Sequence, residues 1–143
     1  MRIGVPRETK PGENRVSLTP AGAAALRAAG ADIAVETGAG AASGFGDREY
    51  LEAGAVIVKE AGEAWSADLV VKVKEPLPSE SRYLSASSAL FTFLHLAAFP
   101  ELTRELLIRR VTAVAYETVT LGGGLPILRP MSEVAGILSV QVG

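Results

Sequence analysis

The residue of this chain with the clearest capacity for chemistry is its only histidine, His95. An unperturbed imidazole titrates near neutrality, so His95 is the simplest side chain to move a proton near pH 7. It lies within an apolar run at residues 90–98, LFTFLHLAA, which predicts a buried strand. A lone histidine among apolar neighbours is more often a hydrogen-bonded core residue than a catalyst, so its position in the run leaves both interpretations open.

Three further polar residues are expected near His95, because each follows a predicted strand. Arg15 lies in the loop after the first strand, Lys74 ends the fourth, and Glu117 follows the sixth. In open parallel sheets, ligands bind beyond the carboxyl ends of the strands, so the four side chains are predicted to meet at one rim. There an arginine can bind a carboxylate with two hydrogen bonds, a lysine can polarise a carbonyl, and a histidine can transfer the proton.

Each of these residues also has a purely structural interpretation. Arg15 is compatible with a solvated loop residue. Lys74 is compatible with a marker of the sheet edge, where Lys72 already indicates that lysine is tolerated. Glu117 is compatible with pairing to an arginine or with capping a turn. The residue types alone leave these alternatives open.

The elements that must position these residues alternate between apolar strands and short helices. This pattern predicts an α/β fold: an open, mostly parallel sheet with helices on both faces, flavodoxin-like or Rossmann-like. The predicted strands are residues 2–5, 32–36, 56–58, 69–74, 89–94 and 111–115. The first predicted helix has Thr19 as its N-cap, begins at Pro20 and runs to residue 29. Two more cover residues 47–53, capped by Asp47, and 61–67. A fourth is opened by Pro100 with Leu102, Leu106 and Leu107 on its buried face, and the last is capped by Ser132.

A glycine-rich loop at residues 38–46 follows the second predicted strand and resembles a dinucleotide fingerprint. Its spacing is one residue too long for G-x-G-x-x-G, and the next helix begins late, at Asp47, and is short. We therefore interpret the loop as a structural turn.

Composition excludes several classes of function. The net charge of −2 gives no general attraction to nucleic acid or anionic membranes, and the absence of cysteine removes thiolate metal sites and nucleophiles. The uncharged segment 83–100 contains serines, Thr92 and His95 and ends in proline, which favours a loop running into a core strand over a membrane helix. No signal peptide is evident. We expect a cytoplasmic protein with no metal, nucleic-acid or membrane partner.

Several segments together resemble the alanine dehydrogenases. The opening is shared with the α subunit of proton-translocating transhydrogenases, whereas the later motifs are similar to alanine dehydrogenase in particular. The opening comprises MRIGVPRETK at residues 1–10 and ENRVSLTP at 13–20. The later motifs are VKVKEP at 71–76, FTFLHLA at 91–97, AYETV at 115–119 and PMSEVAG at 130–136.

This resemblance implies oxidative deamination of L-alanine to pyruvate and ammonia, with NAD accepting the hydride. It implies that Arg15 and Lys74 bind the substrate carboxylate and carbonyl, and that His95 is the acid/base for water addition to the imine. Met131 would contact the substrate and Ser132 the cofactor. Alanine dehydrogenases are typically hexamers, so the resemblance also implies a homo-oligomer.

Family members also carry a Rossmann domain and a second catalytic acid, an aspartate, beyond the segment that this chain matches. The resemblance therefore predicts a substrate-binding domain at residues 1–130 and the start of an inter-domain helix at residues 131–143. We expect no tight NAD binding and no appreciable turnover by the isolated chain. The alternatives are a non-enzymatic domain that associates with itself or a partner through Val134, Ile137 and Leu138, and a fragment of a transhydrogenase α subunit.

Overall fold

Six short strands form one sheet in the computed structural model, which describes residues 1–142. The sheet order is β3-β2-β1-β4-β5-β6, and every neighbouring pair is parallel. This is the strand order of a doubly wound Rossmann sheet, so the predicted α/β fold class is confirmed. The strands are β1 Arg2–Val5, β2 Asp32–Glu36, β3 Val56–Val58, β4 Leu69–Val71, β5 Ala89–Thr92 and β6 Thr112–Ala115.

Within residues 1–142, four α-helices and two short 3-10 helices lie between these strands, and one 3-10 helix and one α-helix follow the last strand. The α-helices are α1 Pro20–Ala28, α2 Asp47–Glu52, α3 Ala61–Trp65, α4 Pro100–Ile108 and α5 Leu128–Val142. The 3-10 helices are Ala41–Ser43, Pro78–Tyr83 and Tyr116–Thr118.

Alternate residues of β1 pack against helices on opposite faces of the sheet. Ile3 and Val5 join a buried cluster with Ala23 of α1 and Tyr50 of α2. Gly4, between them, lies against α3 so closely that a Cβ there would overlap the Ala64 carbonyl oxygen. Since successive strand residues point to opposite faces, α1 and α2 cover one face and α3 the other.

A second core cluster lies over β4 and β5 and supports the end of the sheet that carries His95. It contains Trp65, Val70, Leu84, Leu90, Leu94 and Leu106. All six side chains are at most 6% exposed. The strands that lead to the predicted rim are therefore anchored by well-buried apolar side chains.

The first helix shows why local sequence predicted several elements well. Thr19 has an extended backbone and its side chain accepts a hydrogen bond from the Gly22 N–H, while Pro20 occupies the first helical position, where no N–H is needed. Gly30 follows the helix at φ +87°, in the left-handed region that glycine enters without strain. The helix covers Pro20–Ala28, so it begins at the predicted residue and ends one residue earlier than predicted.

Two strands that lead to the candidate site are shorter than predicted. β4 ends at Val71 instead of residue 74, and β5 ends at Thr92 instead of residue 94. The main-chain N–H groups of Leu94 and His95 donate to the side chain of Glu117, so they are not available to a neighbouring strand. Beyond the strand ends, one main-chain hydrogen bond from the Phe93 N–H to the Val73 carbonyl oxygen persists at 3.3 Å, and the Glu117 side chain takes over at Leu94 and His95.

Three other local predictions were wrong. The last helix begins at Leu128, so Ser132 is not its cap but lies in its second turn; Pro130 is accommodated because the first turn needs few N–H donors. Asp47 is the first residue of α2 rather than its N-cap, which is Gly46. Leu107 is 73% exposed and does not share the buried face of α4 with Leu106.

The last helix, α5, packs little against the rest of the chain. None of its described residues is buried, and Val134, Ile137 and Leu138 are 52%, 65% and 49% exposed. Within residues 1–142, no helix has the length and apolar character required to span a bilayer.

Candidate active site

A pocket of about 280 Å³ lies at the carboxyl ends of β4 and β5 and is closed on one side by α5. It brings together the five residues predicted for substrate binding, catalysis and cofactor contact. Three further residues complete its wall. The lining residues are Arg15, Lys74, Phe93, His95, Leu128, Met131, Ser132 and Ala135.

A larger cavity of about 680 Å³ lies beside the start of α4 and contains none of the predicted site residues. Its wall is mainly apolar and acidic, and its lining cation, Arg109, is paired with Glu105 at 2.8 Å. The smaller pocket, with two cations and an imidazole on its wall, is therefore the better candidate for chemistry.

Arg15 is held in place by Glu13. Its Nε and Nη2 donate to the two oxygens of the Glu13 carboxylate at 2.8 and 2.6 Å, and its main-chain N–H donates to the same carboxylate at 2.9 Å. These hydrogen bonds hold the pKa of Glu13 below its usual range and raise the pKa of Arg15. Nη1 lies 3.5 Å from the Met131 sulfur, so the Nη1 edge of the guanidinium remains toward the pocket.

Sequence reasoning missed Glu13. Its position two residues before Arg15 in a polar loop was a usable signal, because a carboxylate at this distance can turn back onto the guanidinium. The Arg15 side chain is 41% exposed, so it is partly solvated, but its two hydrogen bonds to the Glu13 carboxylate fix the orientation of the guanidinium.

Lys74 lies three residues beyond β4, on a segment fixed from both sides. Its carbonyl oxygen accepts a hydrogen bond from Thr92 Oγ1 at 2.9 Å, and the preceding Val73 N–H donates to Glu8 at 2.6 Å. The half-buried side chain lines the pocket. The main chain around Lys74 is thus tied to both β5 and the loop after β1.

Lys72 does not behave as an edge residue, contrary to the sequence interpretation. It is 1% exposed, and its Nζ lies 3.1 Å from both Glu8 and Glu80 and 5.8 Å from the centre of the Trp65 ring. Burial raises the pKa of Glu8, an effect that the positive charge of Lys72 opposes. This buried cluster anchors the chain immediately before Lys74.

His95 is exposed, so it is not the buried core histidine that its apolar neighbours suggested. Its φ of +47° places it in the left-handed region, which costs a non-glycine residue about 1–2 kcal/mol. Its N–H donates to the Glu117 carboxylate at 2.7 Å, and a hydrogen bond to a charged group contributes about 1.5–3 kcal/mol, enough to offset that strain. The imidazole stacks on Phe93, with ring centres 5.9 Å apart and an 11° interplanar angle.

Glu117 does not line the pocket. Its carboxylate accepts hydrogen bonds from the main chain of Leu94 and His95, which is the turn-capping alternative and not a direct role at the rim. Sequence reasoning placed it correctly near His95 but left its contact open.

Met131 and Ser132 reach the pocket from α5. The Ser132 hydroxyl donates to the Leu128 carbonyl oxygen at 3.3 Å, one turn earlier, as serine commonly does within a helix. The remaining wall is mainly apolar, formed by Phe93, Leu128 and Ala135. The pocket therefore combines cations, one imidazole and an apolar wall, which suits a small carboxylate with a short apolar substituent.

The glycine-rich loop does not fit a dinucleotide phosphate. The Gly38 N–H donates to Asp47 at 2.8 Å and the Gly46 N–H to Glu49 at 2.7 Å, so carboxylates of this chain already occupy these donors. Gly40 packs against Tyr50, and α2 has only six residues. Residues 1–142 also contain no group of three or more His, Cys, Asp or Glu residues placed to hold a metal ion.

Comparison with known proteins identifies relatives along the whole chain. The alanine dehydrogenase of Bacillus subtilis (strain 168) is 53% identical over 143 residues, which are 100% of this chain and 38% of that protein. A solved L-alanine dehydrogenase structure superposes with a TM-score of 0.96 at 51% identity, covering 100% of this chain and 40% of the other. The transhydrogenase structure from Sinorhizobium meliloti superposes with a TM-score of 0.77 at 27% identity, covering 84% of this chain and 37% of the other.

The chain thus spans about two fifths of the length of the alanine dehydrogenases that it matches. The family described as alanine dehydrogenase/PNT, N-terminal domain matches residues 4–135, which is most of the chain. With the strand order and the pocket described above, this protein belongs to the alanine dehydrogenase/PNT N-terminal domain family.

Proposed function

We propose that this chain forms the substrate-binding part of an NAD-dependent alanine dehydrogenase, which converts L-alanine, NAD and water to pyruvate, ammonia and NADH. The observation that carries the proposal is the single pocket that holds Arg15, Lys74 and His95 together. The similarity in sequence and structure to alanine dehydrogenases supports the choice of substrate.

In this proposal the two cations bind the acid end of the substrate. The Nη1 edge of Arg15 binds the carboxylate, while Glu13 keeps the guanidinium oriented. Lys74 binds a carboxylate oxygen and the carbonyl oxygen of pyruvate, whose polarisation makes the carbonyl carbon electrophilic. The apolar wall, including Met131, accommodates the methyl group of the substrate.

His95 supplies the proton transfers in this proposal. When water adds to the imine formed from alanine, the imidazole takes a proton from the water; it then returns a proton to the departing amine. An exposed imidazole on the pocket wall can exchange that proton with solvent between turnovers.

The described residues do not supply a dinucleotide cradle, so the proposal assigns them substrate binding and proton transfer only. Contact between Ser132 and the cofactor remains a prediction from the resemblance. We expect no appreciable alanine-dependent NAD reduction by the purified 143-residue protein, and detecting such turnover would overturn this part of the proposal. A cytoplasmic location and a homo-oligomer, a hexamer as in the family, also remain predictions.

Calorimetric titration with pyruvate tests the proposal. We expect saturable binding that is lost in Arg15→Ala and in Lys74→Ala. Two exposed residues of the same types give matched controls, Arg48→Ala on α2 and Lys59→Ala after β3, and both should bind as the wild type does. Absence of binding by the folded wild type, or equal losses in the control variants, would contradict the proposed pocket.

A second candidate function is self-association through α5, favoured by the exposure of Val134, Ile137 and Leu138. Sedimentation velocity of the wild type and of Ile137→Glu would distinguish a monomer from an oligomer formed through α5. A concentration-dependent oligomer that dissociates in the variant supports this candidate, and a monomer at all concentrations excludes it. The transhydrogenase alternative is less well supported, since the similarity to the alanine dehydrogenase structure is greater in both identity and TM-score.

A further inference from the structure

The carboxylate of Glu117 lies against the main chain that carries His95. It accepts hydrogen bonds from the Leu94 N–H at 3.2 Å and from the His95 N–H at 2.7 Å. Among the ion pairs of residues 1–142, none involves Glu117. Its negative charge is therefore directed at these two amides.

The conformation of His95 requires such a constraint. A φ of +47° is uncommon for any residue other than glycine, and His95 lies three positions beyond the end of β5, past the last main-chain hydrogen bond between Phe93 and Val73. Glu117 supplies the acceptor at this point, and it enters from the neighbouring strand because it follows β6 in the 3-10 helix Tyr116–Thr118.

The residue before Glu117 restrains the imidazole ring by a second route. The Tyr116 ring meets Phe93 edge to face, with ring centres 5.0 Å apart, and Phe93 stacks on the His95 imidazole. Tyr116 and Phe93 are each 8% exposed, so both rings are confined by packing. Adjacent residues thus hold the main chain of His95 and the ring on which its imidazole stacks.

We propose that Glu117 is a positioning residue, which holds the His95 imidazole in the pocket beside Lys74 by fixing the main chain of Leu94 and His95. The importance of this position rests on the proposed function, whereas the contact itself does not. A carboxylate that is bonded to amides and does not line the pocket restrains His95 while leaving the pocket wall cationic for an anionic substrate.

Nuclear magnetic resonance tests the proposal directly, because a single histidine gives one set of imidazole signals. In the wild type, the amide hydrogens of Leu94 and His95 should exchange about ten-fold or more slowly than that of Leu96, which follows them in the same loop. Glu117→Met has similar length and no acceptor, so it should abolish this protection and shift or broaden the His95 imidazole signals.

Two further variants separate positioning from a general structural role. Glu117→Gln retains an acceptor oxygen and should restore most of the protection and the wild-type imidazole signals. Glu52→Met removes an exposed carboxylate on α2 and should leave both unchanged. Circular dichroism establishes that each variant is folded before its spectra are compared.

The outcomes distinguish this inference from the proposed function. Wild-type imidazole signals and amide exchange in folded Glu117→Met would overturn the positioning role. If Glu117→Met does not fold, the wild type and Glu117→Gln decide. Rapid exchange of the Leu94 and His95 amide hydrogens in the wild type would overturn the positioning role. Slow exchange of both amides in the wild type and in Glu117→Gln would support it. Failure of the wild type to bind pyruvate, with both amides protected, would overturn the proposed function and leave the positioning contact supported.

Discussion

Replacing Lys72 with methionine should destabilise the protein strongly, because it removes the cation between two buried carboxylates. Nζ lies 3.1 Å from both Glu8 and Glu80, whose side chains are only 5% and 6% exposed. Removing one partner of a buried ion pair costs about 3–5 kcal/mol. For a chain of this length, that loss lowers the midpoint of thermal unfolding by roughly 10–15 °C. Since small domains are stable by only about 5–15 kcal/mol, a loss of this size is a large fraction of the total free energy of unfolding.

Urea unfolding followed by circular dichroism measures this cost, with the exposed Lys59→Met as the matched control. The pH dependence gives a second check. Burial already raises the pKa of Glu8 from its ordinary value of 4.5, and losing Lys72 removes an opposing contribution. Just above pH 4.5, the folded Lys72→Met variant should therefore bind more protons than its unfolded state, so acid favours its folded form. The loss of unfolding free energy relative to the wild type should be complete at pH 7 and should shrink as the pH falls. A loss of stability below about 1 kcal/mol at pH 7, or one that grows in acid, would contradict a stabilising role for the buried Lys72.

Two further predictions concern the loop after β1 and the strand itself. Hydrogen bonds from Arg15 hold the pKa of Glu13 below its ordinary value of 4.5, so the stability from this group is present above that value and is lost as pH falls through the lower folded one. The free energy of unfolding should accordingly decrease less in Glu13→Gln than in the wild type as the pH is lowered into the acid range. Gly4→Ala should cost about 1–3 kcal/mol or more in thermal unfolding, because the new Cβ meets the Ala64 carbonyl, whereas Gly136→Ala on the exposed helix should be neutral or stabilising.

The elements that the sequence predicted well carry their signals locally. Thr19 and Pro20 start a helix through their own hydrogen-bonding capacity, and glycine at position 30 ends it. The strand bounds of β1, β2 and β3 were predicted to the residue, because apolar β-branched runs there are bounded by glycine, proline or polar residues. Placing Arg15, Lys74 and His95 at one rim required only the parallel-strand rule, and the structure brings them together.

Two of the features that sequence reasoning missed depend on contacts between distant residues. Lys72 and Lys74 are the same residue type two positions apart, yet one is buried and the other lines the pocket, because Glu8 lies 64 positions from Lys72 in sequence and reaches it only in the fold. The main-chain hydrogen bonds of Leu94 and His95 likewise go to Glu117, which is 22 residues away from His95. Such pairings leave no periodic pattern in the chain.

The most direct test of the central claim is a pyruvate titration monitored on the His95 imidazole signals. We expect a saturable shift of those signals, retained in Lys59→Ala and lost in Arg15→Ala. Because the chain has one histidine, the shift reports binding at this pocket without assignment of other residues. A folded wild-type protein whose imidazole signals do not respond to pyruvate, or respond equally in Arg15→Ala, would contradict substrate binding at this pocket.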